Sequence, residues 1–195
     1  MEDELRRLYG KKHPRPRRRS YSGIKTIIGA MVLLAIGVLI VYVLWEKQQS
    51  NERKTIGNLL LTAMEPVGNT MYVWGGGWSD EDTSSGGEAT RIGVSPNWAE
   101  FAKQQDAAYN YKLTRYQRQD GLDCSGYLGW CVYNVMEKKS GKAGYVVKST
   151  DMAKTYAKRG FGTYYEIGKV STWKAGDIMS KEGHVWMVVG SCEDG

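Results

Sequence analysis

Cys124 and His184 have the side-chain chemistry of a nucleophile and a base, and each lies at the end of a predicted helix or strand. Cys124 begins an apolar helical repeat, and His184 opens the apolar run at 185–189. Unpaired backbone N–H groups and the positive end of the helix dipole favour a thiolate at a helix start. A cysteine and a histidine far apart in sequence are what a Cys–His catalytic pair requires. The sequence therefore predicts nucleophilic catalysis by Cys124 with His184 as the base.

Each of these residues also has an ordinary structural interpretation. A cysteine is commonly a small buried core residue, and a histidine that opens a strand is commonly a surface residue. The other cysteines are Cys131 and Cys192, so the number is odd and at least one thiol is unpaired, whereas a Cys131–Cys192 pair stays open. With no CxxC pair and only His13 besides His184, the spacing does not support a zinc site, and we expect no cofactor.

The elements that must position the two residues follow from hydrophobic periodicity. Apolar residues recur at helical spacing over 124–138, and a second helix is predicted at 150–159. Short strands are predicted around 163–167, 177–180 and 185–190. Helices followed by strands indicate an α+β fold, in which the helix beginning at Cys124 packs on an antiparallel sheet that includes the last strand.

The part of the chain before Cys124 carries its own pattern. The segment 50–65 is predicted to be a helix that ends before Pro66, and 71–74 is predicted to be a short strand or extended segment. By composition 78–94 is a loop, and 95–117 has apolar residues at helical spacing after a Ser-Pro start. We therefore expect an inserted loop and helix at about 78–120.

The charge and the hydropathy divide the chain further. The first 25 residues hold nine Lys and Arg against three Asp and Glu, which accounts for the whole net charge of +6. No cationic domain remains, so nucleic-acid binding is disfavoured. The uncharged stretch 26–45 matches the roughly 20 residues that cross a bilayer, and the basic residues before it place the N-terminus in the cytoplasm.

These patterns predict three regions. Residues 1–23 form a basic cytoplasmic tail, 24–45 a transmembrane signal anchor, and 46–195 a domain outside the cell membrane. A cleaved signal peptide is the competing interpretation. It is disfavoured because the apolar run is long and because 46–49 offers no small-residue cleavage site.

Four motifs together resemble the NlpC family of bacterial cell-wall cysteine endopeptidases, within the papain-like superfamily. They occur in the family's order and lie within the region 50–190, most of which the resemblance covers. The motifs are YVWGGGW at 72–78, LDCSGYLGW at 122–130, VSTWKAGDIM at 170–179 and GHVWMVVG at 183–190.

The resemblance implies a papain-like core and a set of site residues. Cys124 would attack a peptide carbonyl while His184 takes the thiol proton. Tyr72 would lie beside the nucleophile, and Asp123 and Ser125 would bind the amino end of a murein stem peptide. Tyr72 could instead be a core residue, and the other two could simply cap the helix. On physical grounds, the Cys124 N–H can donate to an oxyanion, and the nearby glycines can let substrate approach the backbone.

The implied substrate is peptidoglycan, most often the bond between γ-linked D-glutamate and the diamino acid of the stem peptide. We therefore expect a membrane-anchored bacterial hydrolase that works in wall remodelling or with a secretion or conjugation apparatus. One alternative is a non-catalytic wall-binding or scaffold module of the same fold. Another is an amidase or acyltransferase on the same Cys–His framework.

The chain departs from the family pattern in two places. The 78–120 insertion replaces a short connection next to the nucleophile, so specificity cannot be transferred from the family. The family orients its histidine from the strand after the one at 185–190. We therefore expect that the domain lacks its C-terminal strands and that the third catalytic residue lies beyond Gly195.

Overall fold

The computed structural model describes residues 22–79, 84–113, 115, 119–136 and 144–191, which fall into two compact units, Met1–Glu46 and Lys47–Gly195. The helices are α1 (Ser22–Arg53), α2 (Ile56–Met64), α3 (Pro96–Lys103), α4 (Cys124–Met136) and α5 (Met152–Lys158), with a 3₁₀ turn at Gly87–Thr90. The strands are β1 (Met71–Tyr72), β2 (Gly121–Leu122), β3 (Ile178–Lys181) and β4 (His184–Met187).

The first unit consists, in its described part, of the apolar portion of α1. The stretch Gly23–Gln49 has 27 residues and a mean hydropathy of 3.0. By length and composition it is the one helix in the described ranges that could cross a membrane, and a signal sequence would have the same character. The predicted basic tail at 1–23 lies almost entirely outside the described residues.

The predicted helix at 50–65 is two helices. α1 continues to Arg53, and α2 begins after Thr55, whose backbone is extended at φ −118° and ψ 155°. The Thr55 hydroxyl accepts the N–H of Asn58 at 3.1 Å, and the Asn58 amide donates to the Arg53 carbonyl at 3.0 Å. A threonine N-cap therefore interrupts what the hydrophobic pattern indicates as one helix.

In the second unit, α4 lies at the centre of the core and confirms the predicted helix that starts at Cys124. It packs against α2, the 3₁₀ turn and β4. Trp130 of α4 and Trp98 of α3 are fully buried and meet edge to face, with ring centroids 5.5 Å apart. Val185 of β4 is 2% exposed and joins the same core.

The sheets are smaller than expected. β3 and β4 pair antiparallel with Ile178 opposite Met187 and Lys181 opposite His184, as the sequence predicts for this end of the chain. β1 and β2 form a separate two-stranded parallel pair that was not predicted. The fold thus mixes helix and sheet, but the antiparallel sheet in the described residues has two strands.

The predicted strand at 163–167 is wrong, because this segment is irregular and exposed. Gly160 and Gly168, which bracket it, have φ of 83° and 89°. Such left-handed residues turn the chain at both ends of the segment.

The predicted helix at 95–117 is also shorter than expected, since α3 ends at Lys103. After it, the Asp106 and Asn110 side chains accept the N–H groups of Ala108 and Lys112 at 2.8 and 3.0 Å. These local side-chain bonds compete with the helical hydrogen bonds and favour turns.

Candidate active site

Asp123 directly precedes α4, the helix that begins at Cys124. One carboxylate oxygen accepts the N–H of Gly126 at 2.7 Å and the hydroxyl of Ser125 at 2.8 Å. The Asp123 carbonyl accepts the N–H of Tyr127 at 2.8 Å. Burial raises the pKa of this carboxyl above its ordinary value, although the hydrogen bonds oppose the rise. The capping role considered for Asp123 is therefore confirmed, and the cap places Cys124 at the first helical position.

Glycines bring the 72–78 loop against the start of α4. The N–H of Asp123 donates to the Gly76 carbonyl at 3.0 Å. A Cβ on Gly126 would overlap the backbone oxygen of Gly76, and a Cβ on Gly76 would overlap that of Gly121. These glycines pack backbone on backbone, and the expectation that glycines here let substrate approach stays a prediction.

Ser125 is enclosed beneath the helix start. It is 3% exposed, and its hydroxyl accepts the indole N–H of Trp78 at 3.1 Å while donating to Asp123. Ser125 is not among the residues that line the cleft described next. Its contact with substrate stays a prediction, whereas its hydrogen bonds within the protein are observed.

A cleft of about 380 Å³ brings together four of the five residues singled out from the sequence. Cys124 and His184 line it, together with Tyr72 and Asp123. The remaining lining residues are Pro66, Val67, Thr70, Met71, Leu122, Tyr127, Leu128, Val185, Trp186, Met187 and Val189. Residues from two ends of the second unit thus share one concave surface, which is where a nucleophile and its base must meet.

His184 is the first residue of β4, and its side chain is exposed. Its ring stacks on Trp186, with centroids 5.3 Å apart and planes inclined by 29°. Within the described parts of the chain, no side chain hydrogen-bonds to this ring. The third catalytic residue, expected beyond Gly195, stays a prediction.

Three donor groups near the Cys124 thiol favour its charged form. They are the backbone N–H groups of Val185 and Ser125 and the hydroxyl of Tyr72. Burial nevertheless raises the pKa of the thiol above its ordinary value, and the neighbouring Asp123 carboxylate raises it further. The sequence-based expectation of a thiolate is therefore wrong for the resting state, because desolvation outweighs the donors. A neutral thiol needs a base when it attacks.

Tyr72 lies beside Cys124, as the resemblance implies. Its hydroxyl faces the Cys124 thiol and the backbone N–H of Cys124. Burial is the largest of the causes that raise the pKa of Tyr72 well above its ordinary value. The phenol is consequently neutral at physiological pH and remains a hydrogen-bond donor.

Two residues of the inserted segment reach this tyrosine and were not predicted. The Tyr109 hydroxyl donates to the Tyr72 carbonyl at 2.7 Å, and the Tyr111 ring meets the Tyr72 ring edge to face at 5.2 Å. In the sequence, only the aromatic character of residues 109 and 111 could have indicated these contacts with Tyr72. The hydrophobic periodicity instead predicted a helix in this region.

Cys131 is a free, fully buried thiol on α4. Burial raises its pKa well above the ordinary range, and the Tyr127 hydroxyl is a side-chain hydrogen-bond partner. It is therefore a core residue, unlike Cys124. Cys192 lies outside the described residues.

No protein-family model matches the chain, and neither a curated protein nor a solved structure matches it.

Proposed function

We propose that this protein is a membrane-anchored peptidoglycan hydrolase that cuts murein stem peptides by Cys–His nucleophilic catalysis, with a papain-like catalytic core. The single observation that supports this most is the shared cleft, in which Cys124 at a helix start and His184 at a strand start lie with Tyr72 and Asp123. The NlpC-like motifs supply the substrate class, a D-glutamyl–diamino acid bond.

The site suits attack by a thiol that is neutral at rest. His184 removes the thiol proton as the Cys124 sulfur bonds to the peptide carbonyl carbon. The backbone N–H of Cys124 and the Tyr72 hydroxyl are the donors available for the oxyanion, since both lie beside the sulfur and face each other in the absence of substrate. The protonated His184 then gives its proton to the leaving amine, and water hydrolyses the resulting thioester with His184 again as base.

Asp123 is the candidate for recognition of the free amino end of the stem peptide. It lines the cleft, and a carboxylate there attracts an ammonium group. Because one of its oxygens already caps α4, substrate would meet the other oxygen, in competition with the Gly75 N–H and the Trp78 indole that also face the carboxylate.

The apolar α1 would anchor the hydrolase, with the basic N-terminus in the cytoplasm and the second unit on the outer side of the cell membrane. In that position the protein would act in wall remodelling or in opening the wall for a secretion or conjugation apparatus.

One observation favours a second candidate, acyl transfer on the same Cys–His framework. A large share of the cleft wall is apolar, including Val67, Met71, Met187 and Val189. An aliphatic acyl group would be desolvated favourably on such a wall. Its thioester on Cys124 would pass to an amine or hydroxyl acceptor instead of water.

The test is to incubate the full chain in detergent micelles with muropeptides and to identify products by mass spectrometry. We expect cleavage between D-glutamate and the diamino acid. His184→Gln should lower kcat on the order of a hundred- to ten-thousand-fold, as loss of a general base does.

The matched control is Lys181→Ala, because Lys181 lies opposite His184 in the same hairpin and is exposed. That variant should keep roughly wild-type cleavage. Binding of muropeptides without any product from the unaltered chain would favour the scaffold module. Turnover of acyl esters without muropeptide cleavage would favour the acyltransferase.

A further inference from the structure

The inserted segment lies between the 72–78 loop and β2 in the sequence. It contacts Tyr72 of β1, the tyrosine beside Cys124. The Tyr109 hydroxyl holds the main chain of Tyr72 through the 2.7 Å bond to its carbonyl. The Tyr111 ring holds the side chain of Tyr72 through the edge-to-face contact at 5.2 Å and 76°. One segment therefore constrains both the backbone and the ring of the same residue.

Tyr111 is itself held in place. Its ring stacks on Trp74, with centroids 6.3 Å apart and planes inclined by 10°, and the Arg115 guanidinium lies 4.9 Å from the Trp74 ring centre. Aromatic and cation–π contacts of this kind stabilise a particular arrangement of rings. Behind Tyr109, the ring of Phe101 at the end of α3 packs edge to face at 6.0 Å.

Tyr72 needs such support because its strand is short. β1 has two residues and pairs only with the two residues of β2. A displacement of the Tyr72 ring by about 1 Å would move its hydroxyl away from the Cys124 thiol, whose charged form it favours.

We propose that Tyr109 and Tyr111 are positioning residues that hold the Tyr72 hydroxyl against the Cys124 sulfur, so that the inserted segment sets the reactivity of the nucleophile. The effect on thiol reactivity is independent of substrate. The effect on turnover rests on the proposed function.

The groups that face the thiol must be considered together. Tyr72 of β1 and Asp123, directly before α4, act on the thiol, and His184 of β4 and Tyr127 of α4 line the same cleft. Substitutions at 109 and 111 leave all four of these side chains in the protein, so any change in thiol titration reports the placement of Tyr72.

The experiment measures the rate of alkylation by iodoacetamide against pH, using the full chain in micelles with Cys192→Ser as background. Cys131 is fully buried, and Cys124→Ala serves as the blank. Tyr72→Phe should move the midpoint of the profile upward by about one pH unit, because a hydrogen bond to the thiolate is lost. Tyr111→Ala should move it in the same direction.

Two comparisons separate positioning from general loosening of the fold. Tyr111→Phe keeps the ring and should keep the wild-type midpoint, as should Tyr165→Ala at an exposed tyrosine outside the inserted segment. Adding Tyr111→Ala to Tyr72→Phe should produce no further shift, since both act through one hydroxyl. If Tyr111→Ala does not fold, Tyr109→Phe, which removes the hydrogen bond to the Tyr72 carbonyl, replaces it in the same comparison.

The proposal is overturned if Tyr72→Phe leaves the midpoint unchanged, or if the shifts from Tyr72→Phe and the inserted-segment variant simply add. With muropeptides, the inserted-segment variants should lower kcat several-fold and leave KM near the wild-type value. Failure of the unaltered chain to cleave muropeptides would refute the proposed function, whereas the alkylation profiles would still decide the role of Tyr109 and Tyr111.

Discussion

The backbone N–H of Val185 faces the thiol of Cys124 and opposes the rise of its pKa. Val185 is also buried in the core, at 2% exposure, directly after the exposed His184. A slip of β4 by one residue would expose Val185 and bury the histidine, which the packing of the core disfavours. The same strand register thus connects the hairpin that carries His184 to the first turn of α4.

Cys124→Ala should abolish muropeptide cleavage without loss of the fold. The nucleophile disappears, while the Asp123 cap and the rest of α4 stay intact. Mass spectrometry of the products and circular dichroism of the variant check the two parts. Cys131→Ala is the matched control, and it should retain cleavage while losing about 1 kcal/mol of stability from the buried core. Cleavage by Cys124→Ala would exclude this residue as the nucleophile.

Substitutions at Asp123 should separate helix capping from substrate recognition. Asp123→Asn keeps an oxygen for the Gly126 N–H and the Ser125 hydroxyl but loses an acceptor that faces the Gly75 N–H and the Trp78 indole, so we expect a smaller loss of stability than for alanine. Asp123→Ala removes that oxygen and should lose about 1 to 2 kcal/mol. If the carboxylate binds the substrate's ammonium group, Asp123→Asn should raise KM for stem peptides with a free amino end but leave KM for N-acetylated ones unchanged. Equal KM changes for both peptides would contradict that role.

Alkaline pH should destabilise the protein in part through Cys131. Its folded-state pKa lies above that of an ordinary thiol because of burial. The unfolded chain therefore releases this proton first, so the contribution is complete below about pH 8.5 and falls as the pH rises beyond it. Thermal unfolding of the full chain and of Cys131→Ala should show a wild-type advantage that shrinks between about pH 8.5 and 10.5. Parallel pH curves for the two proteins would be evidence against this linkage.

Two glycine substitutions in helices should have opposite effects. In Gly126→Ala the new methyl group meets the Gly76 backbone, which cannot move like a flexible side chain, so we expect a loss of more than about 2 kcal/mol. In Gly57→Ala the nearest atom is the Thr55 hydroxyl oxygen at 3.9 Å, and the better helix former should stabilise α2 by about 0.5 kcal/mol. Thermal unfolding monitored by circular dichroism checks both. A tolerated Gly126→Ala would show that the loop and α4 can separate.

The sequence by itself determined the features that depend on neighbouring residues. The apolar run after the basic segment predicts one long helix, and α1 contains it. The start of α4 at Cys124 was predictable because Asp123 and Gly126 form a cap within four residues. The β3–β4 hairpin is likewise local, with a left-handed Gly183 in its turn.

Only the tertiary structure decided how distant residues meet and what they do to one another. The parallel pairing of Tyr72 with Leu122 and the bond from Tyr109 to Tyr72 join positions 50 and 37 residues apart, which no local pattern encodes. The pKa of Cys124 likewise depends on residues that are distant in the sequence. A helix start alone favours the thiolate, whereas burial beneath Tyr72 and Val185 beside Asp123 keeps the proton on the sulfur, because desolvation depends on everything that packs around the group.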